Sequence, residues 1–498
     1  MYTVLAILTF TVYFLLKPIL TYILNPKGLN KYPTYTPLCA LTSLAWCLET
    51  WRRGIRSKRL AELHKTYRVI RTGPNSLSYG HPDAYRDMHG HGHGTKCVKH
   101  TFYQTEKTTH FNLGNVIDKT EHTRKREMLA AAFAAKNVQG WEFKVAEKVR
   151  ASVEACDRHC TSPLRAGRFP DAGELNFDFR AWSNFFTIYA IGAIALSENL
   201  GLLHAGDDAV TAETVGGRQY TASYRDCLHA SKIAHTRIAF ADKWYHFTSR
   251  FTTRLLPSCR KLWRLSDGWN GIVHRYASKR LKRYLQGEKL DDIFQYLLHN
   301  KEGEALGLEW GEIAAETAVI LDAGCLARLR EEIDEALEPE DIICPYDKVK
   351  NLPYLRACLD ESLRITPPIS YNLPRRTPPE GAYILGEFVP GDTTVSMSSY
   401  VVHRDKEAFP DAEKYIPERW LDEKRKDLQS SFVPFSAGPR GCIGRNISYL
   451  EQTVLVATPV HRYEFALPSP GWEQERVEVT NLLPGALPLK VWKRGMCI

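Results

Sequence analysis

The chain has 498 residues, 44% hydrophobic and 25% charged, and a net charge of +9. Its size alone favours several domains, yet no Gly/Ser or acidic linker, repeat or low-complexity tract divides it, so one large domain is expected. Lys and Arg are spread rather than blocked, which argues against a nucleic-acid arm and fits an acidic partner or an anionic membrane surface. The 12 cysteines include no Cys-x-x-Cys pair, unlike a secreted disulfide scaffold or a zinc framework; reduced thiols in a cytosol-facing domain are expected.

Met1 to Leu24 is apolar, broken by Lys17 and Pro18. As helix it would span roughly 35 Å, enough to cross a bilayer with a kink. The first charge is Lys17 and no clear cleavage site follows, so an uncleaved anchor is expected over 1–24, ahead of a domain over 25–498. Lys27, Lys31, Arg52, Arg53, Arg56, Lys58 and Arg59 then place that domain in the cytosol. A second apolar stretch, Leu38 to Trp46, is too short to span.

Further along, residues 120–160 read as helix, with Ala130 to Ala135 as strong formers. Residues 205–225 are polar and read as a loop; 270–300 read as amphipathic helix. Leu308 to Gly324 repeats Ile313, Thr317, Ile320 and Gly324 at helical spacing. Leu352 to Ile365 is a short helix stopped by Pro367 and Pro368. Residues 366–381 read as extended, and Tyr383 to Ser398 as a hairpin turning at Pro390-Gly391. The fold class is mainly α with a small β region.

The chemistry concentrates in Phe435-Ser436-Ala437-Gly438-Pro439-Arg440-Gly441-Cys442-Ile443-Gly444-Arg445-Asn446. The glycines and proline shape a tight loop, and helical spacing follows from Ile447 to Val456. Cys442 thus stands at a loop-to-helix junction, where unpaired amides and the helix dipole favour a negative sulfur. A thiolate so placed can ligate haem iron and favour O–O cleavage. Gly438 and Gly444 allow backbone to approach a flat ligand, and Arg440 offers a fork for a haem propionate.

Phe435, Gly438, Arg440, Cys442 and Gly444 together resemble the haem-binding loop of cytochromes P450, a specific pattern. Glu361-Ser362-Leu363-Arg364 resembles the family's Glu-x-x-Arg helix, whose members share a face at i,i+3. Pro417-Glu418-Arg419-Trp420 resembles the segment whose Arg completes that network. The resemblance gives Glu361, Arg364 and Arg419 a supporting role under the haem. His122 to Arg126 resembles the propionate-binding helix, with His122 where Trp is usual; Arg375, after Leu373-Pro374, resembles another propionate ligand.

The strings His89-Gly90-His91-Gly92, Glu121 to Arg126 and Tyr400-Val401-Val402-His403-Arg404 extend the likeness to fungal enzymes of the benzoate 4-monooxygenase type. His89, His91 and His93 are read as a loop feature, since a structural metal site needs closed coordination. Asn446-Ile447-Ser448 fits a glycosylation sequon but lies within the haem loop, so no modification is expected.

The resemblance implies haem b on Cys442, with Phe435, Gly444, Arg440, Arg375, Arg126 and His122 around it. It also implies electrons from NADPH-cytochrome P450 reductase, a single-pass endoplasmic-reticulum setting and a small lipophilic substrate, with a place in fungal secondary metabolism. Substrate contacts are expected from stretches 95–118, 200–245, 366–373 and 480–487.

One departure stands out. Ala323-Gly324 resembles the start of the Ala-Gly-x-Asp-Thr-Thr pattern on the family's oxygen-activating helix, but Cys325 follows, then Leu326 to Ile333, which resembles a helix further downstream. Roughly twenty residues, or about 30 Å of helix, are missing from the pattern. The acid and hydroxyl that relay protons have no match, and Thr317 lies two turns before Gly324, roughly 10 Å away. In order of preference, this implies an incomplete reading of a gene, an impaired relative that binds haem, or a haem-thiolate isomerase or dehydratase that needs no oxygen activation.

Overall fold

The computed structural model describes every residue except 1–11, 13–15, 52–55, 91–96, 107–109, 166, 240–243, 290–291, 299–329, 339–340, 422–427, 470–471 and 496–498. The helix expected over Leu308 to Gly324, and with it the question of the shortened distal segment, lies outside the described residues. So does most of the expected anchor. The part described is α1 (Lys17–Leu24), with proline in its first turn and Asn25 as left-handed cap. No helix among the described residues is long and apolar enough to cross a membrane. The single span expected over 1–24 therefore has no counterpart there.

Two small sheets flank a helical body. The first holds β1 (Val69–Gly73), β2 (Ser76–Tyr79), β3 (Val98–Lys99), β7 (Arg375–Arg376) and β10 (Thr394–Ser396), in the order β1-β2-β10-β7-β3. Helix α2 (Pro82–His89) follows β2, so it arrives beside the same sheet. The second sheet joins β4 (Phe177–Asp178) to β11 (Tyr463–Ala466) and β14 (Pro488–Lys493), tying the chain's end to its first half.

The helical body corrects the reading of 120–160 in one place. It contains α3 (Lys119–Ala130), α4 (Ala135–Gly140) and α5 (Glu142–His159), broken at 131–134 despite alanine's propensity. The carbonyl of Ala131 accepts from Asn137 Nδ2 at 2.7 Å and that of Phe133 from Asn446 Nδ2 at 3.0 Å. Side-chain donors thus take the oxygens that a continuing helix would use. Helices α5, α6 (Phe179–Leu196), α7 (Tyr224–Ile238) and α9 (Pro257–Leu285), with α8 (Tyr245–Leu255) between the last two, share the main core with α12 (Arg445–Arg462). A side chain such as Phe186, fully buried there, contributes about 1.5–3 kcal/mol relative to exposure.

Other expectations shift. Residues 205–225 are not a loop: β5 (Ala209–Glu213) and β6 (Gln219–Ser223) form a hairpin. Its alternation hides in small residues, with Val210 and Ala212 buried against α9. The helix read over 270–300 starts earlier and ends at Leu285, where Gly287 turns the chain (φ +87°). The amides of Ile293 and Phe294 bond instead to Ile194 and Ala195.

The hairpin of β8 (Ala382–Ile384) and β9 (Glu387–Val389) turns at Leu385-Gly386, both with positive φ, not at Pro390-Gly391. Pro390-Gly391 instead leads into β10, which pairs with β2 and β7. The helix before the double proline holds as expected: α11 (Pro353–Ile365) follows α10 (Arg330–Ala336) and ends two residues before Pro367. Every cysteine among the described residues is free of disulfide.

Candidate active site

Beneath the cysteine loop lies a buried ionic network in which, among the described residues, Arg419 Nη2 is left without a partner. Glu361 and Arg364, both 0% exposed, form two bonds of 2.8 Å along one face of α11. Arg419 Nε donates to Glu361 Oε1 at 3.2 Å, Trp420 Nε1 to Oε2 at 2.9 Å and the Ile416 amide to Oε1 at 2.9 Å. Arg364 spends its other hydrogens on the carbonyls of His403, Ala412 and Lys414. Burial opposes Glu361's charge, but Arg364 and the donors that follow hold its carboxyl below the ordinary range. The expected trio is assembled, and Trp420 joins it.

His403 carries this network into the loop and was not singled out from sequence, although it stands in the Tyr400–Arg404 string. Its Nε2 accepts from the Val433 amide at 2.9 Å, and Nδ1 meets the Arg364 carbonyl at 3.2 Å. These partners fix the tautomer: Nδ1 carries the proton. Fully buried, and beside Arg364, the imidazole is held neutral with its pKa lowered to about 3.

Above His403 the loop closes on itself. The Cys442 amide donates to the Phe435 carbonyl at 2.8 Å, and the Phe435 ring lies 5.2 Å from that of Tyr449. Tyr85 Oη donates to Ser436 Oγ at 2.8 Å. Gly438 has φ +70°, and a Cβ there would collide with the His89 carbonyl. At Gly444 the protein itself leaves ordinary room for a methyl, 3.8 Å from Cys442 Sγ. The two glycines therefore differ: the fold requires Gly438, whereas Gly444 keeps space beside the sulfur.

Cys442 precedes α12, whose N-cap is Gly444. The residue is exposed, while packing around its sulfur pushes the thiol above its ordinary value; the Gly444 amide and Arg126 act the other way. The Gly444 amide favours a negative sulfur, as the loop-to-helix junction suggests, but packing opposes it. Desolvation outweighs it in the protein alone, and a metal would have to displace the proton.

Cations gather on the adjoining side. His122 and Arg126 share a face of α3, as their spacing predicts, and Arg126 donates to the Gly441 carbonyl at 2.7 Å. Arg375 is buried and reaches Tyr103 Oη at 3.1 Å. Arg440 ties the loop to the entry of α3 through the carbonyls of Val116 and Ile117, each at 2.8 Å. Among the described residues, these three arginines bond to carbonyl and phenolic oxygens rather than to carboxylates. Burial, then Arg440, Lys99, Arg126 and Arg375, lower His122 to about 3. Burial and Arg375 bring Arg440 down to about 10. Such an uncompensated cluster fits a ligand bearing carboxylates. With a thiol beside it, the donor set fits an iron porphyrin.

Four separate stretches expected to meet substrate do converge. Phe102, Ala239 and Tyr371 form one buried apolar cluster flanked by Tyr103 and Ile369. The Thr480 amide donates to Thr236 Oγ1 at 3.3 Å, bringing in the fourth stretch.

Comparisons with known proteins point the same way. Residues 325–484 match the family model "Cytochrome P450". Benzoate 4-monooxygenase bphA of Aspergillus niger is 28% identical over 465 residues, covering 87% of each chain. Over residues 325–484, and along most of its length in such relatives, the chain is similar to cytochromes P450. Two further P450 relatives are the monooxygenase efuB of Hormonema carpetanum, 27% identical over 86% of this chain and 85% of its own, and tryprostatin B 6-hydroxylase of Aspergillus fumigatus, 28% identical over 87% and 74%. P450s bind haem through a cysteine thiolate and as monooxygenases draw electrons from a redox partner.

Proposed function

We propose that this P450 inserts one oxygen atom from O2 into a small lipophilic substrate, with haem b held by Cys442 and electrons from NADPH-cytochrome P450 reductase. The observation that carries this reading is the Cys442 thiol beside arginines that, among the described residues, bond to carbonyl and phenolic oxygens rather than to carboxylates. When bound, the haem supplies oxygen activation through its iron. The chain's own residues do the rest. Cys442 gives up its proton to become a ligand; the Phe435 carbonyl fixes its amide. Arg126, Arg375 and Arg440, with His122, face the propionates. Glu361, Arg364, Arg419 and His403 hold the loop from below. Phe102, Ala239 and Tyr371 present an apolar, aromatic wall that excludes water and orients a lipophilic molecule.

The relatives' names give two unlike substrates, benzoate and tryprostatin B. They support oxidation of a small organic molecule, in fungal secondary metabolism, without fixing which. Names ending in monooxygenase and hydroxylase do not favour the isomerase or dehydratase reading.

A membrane setting, at the endoplasmic reticulum with the domain facing the cytosol, belongs to the same proposal. Leu20, Ile23 and Leu24 of α1 are exposed, as are Phe247, Phe251 and Leu255 of α8. One recess lined by Lys17, Pro18 and Trp244 joins these two regions. Apolar patches of this kind fit a lipid interface.

The reduced protein under carbon monoxide is the test. A strongly red-shifted Soret band that disappears in Cys442→Ser is expected; a band retained in that variant overturns the assignment. Product formed with NADPH and reductase, and not with peroxide alone, is expected of a monooxygenase.

A further inference from the structure

His89 ends α2 as a buried residue, 4% exposed. Its ring stacks on Tyr85 at 4.3 Å between centroids and 8° between planes. Among the described residues, neither Nδ1 nor Nε2 has a hydrogen-bond partner. A neutral imidazole carries one donor and one acceptor, so both functions are left unmet inside the protein. Burial, then Arg375, push its pKa well down, so the ring stays neutral.

The position of this ring is well defined. The His89 carbonyl lies against Gly438 in the cysteine loop, where only glycine fits. Tyr85, on which the ring stacks, bonds to Ser436 in the same loop. Arg375 acts electrostatically on His89, Tyr85 and His122 alike. His89 and His122 therefore lie in the field of the same guanidinium, Arg375. An acceptor bearing negative charge would satisfy a ring N–H and offset Arg375 together.

We propose that His89 is a further residue of the carboxylate-binding set, its ring N–H donating to a propionate of the porphyrin. The proposal rests on the haem reading above. It also gives the His89-Gly90 segment a purpose that is neither a metal site nor mere loop: Gly90 ends the helix and Gly438 admits the His89 backbone, which seats the imidazole.

The test is haem transfer from the ferric holoprotein to excess apomyoglobin. His89→Phe keeps the stack on Tyr85 but removes the donor, and its haem release is expected to rise about tenfold to a hundredfold, the range for a hydrogen bond to a charged group. His89→Gln restores an N–H and is expected to release haem near the parental rate. Equal acceleration in Phe and Gln variants marks a packing role and overturns the proposal, as does an unchanged rate in His89→Phe.

A second measurement uses the unaltered chain, so a variant that fails to fold does not decide the matter. Loaded with zinc protoporphyrin IX, the 15N-labelled protein is expected to show a His89 ring N–H that is slow to exchange. That signal is lost with the dimethyl ester of the same porphyrin. The same signal with both porphyrins assigns the partner elsewhere and overturns the proposal. A parent protein without the thiolate-type spectrum overturns the haem reading itself, and is distinguishable from any result at His89.

Discussion

The two sides of the cysteine loop obey opposite rules. Below it, Glu361 meets Arg364, Arg419, Trp420 and the Ile416 amide, and charge is balanced within the chain. Beside it, Arg126, Arg375 and Arg440 crowd His122 and meet neutral oxygens instead of carboxylates. The first arrangement is finished by folding; the second is finished by a ligand. A buried network whose charges are balanced and mostly hydrogen-bonded rigidifies its surroundings, while a surplus of one charge is a cost that a ligand of opposite charge relieves. Balance within the protein thus marks support, and imbalance marks a site.

The sharpest way to break this contrast is to remove one arginine from each side. Arg364→Met strands the Glu361 carboxylate at 0% exposure and should cost about 3–5 kcal/mol, measured by urea unfolding of the haem-free protein. Arg375→Met should leave that urea midpoint near the parent's, because relief of repulsion offsets its lost bonds, yet speed haem release. Equal urea shifts in both variants would erase the distinction.

Next comes the pair of glycines. Gly438→Ala combines an unfavourable φ with a backbone collision and should cost about 1–3 kcal/mol or more. Gly444→Ala should leave the haem-free protein folded while perturbing the thiolate spectrum.

His403→Phe removes the link between Arg364 and Val433, for a loss of about 1–3 kcal/mol. Its pH dependence has a definite sign. The unfolded imidazole binds a proton near pH 6.5 and the folded one only near pH 3. Its contribution is therefore full above about 6.5 and falls as pH drops toward 3. The variant should flatten the acid limb of the stability profile.

Glu451 predicts the opposite slope. Buried in α12, with Oε1 unpartnered among the described residues, its carboxyl is pushed up to about 8 by desolvation. Folding then favours the protonated form, so this group's contribution is fullest below pH 4.5 and is lost as pH rises toward 8. Glu451→Gln should raise the melting temperature at pH 8 more than at pH 5.

The smallest effect on stability is expected on the exposed face of α8. Phe247→Ser with Phe251→Ser should shift melting by little, since both rings are exposed, but weaken sedimentation with anionic vesicles. Unchanged vesicle binding would remove α8 from the proposed membrane surface.

Much of the site was legible because its spacing is local. Glu361 and Arg364 are three apart, His122 and Arg126 four apart, and the order from Phe435 to Gly444 shapes a loop by itself. His403, Trp420 and His89 were harder to weigh, since their partners lie far along the chain. His403 meets Val433, Trp420 meets Glu361, and His89 sits against Gly438. The misread elements share a cause. Ala130 to Ala135 breaks because Asn137 and Asn446 take its carbonyls, and Pro390-Gly391 is no hairpin turn because β10 finds better partners in β2 and β7.

By itself, then, the sequence determined the thiol, its loop, the helical class and the ionic trio, all encoded in residue order over a few turns. Tertiary structure alone decided which arginines stay without carboxylates, which glycine the backbone needs, and the packing that pushes the Cys442 thiol up. The physical reason is that charge balance and desolvation are sums over every neighbour in space, and a chain specifies those neighbours only by folding.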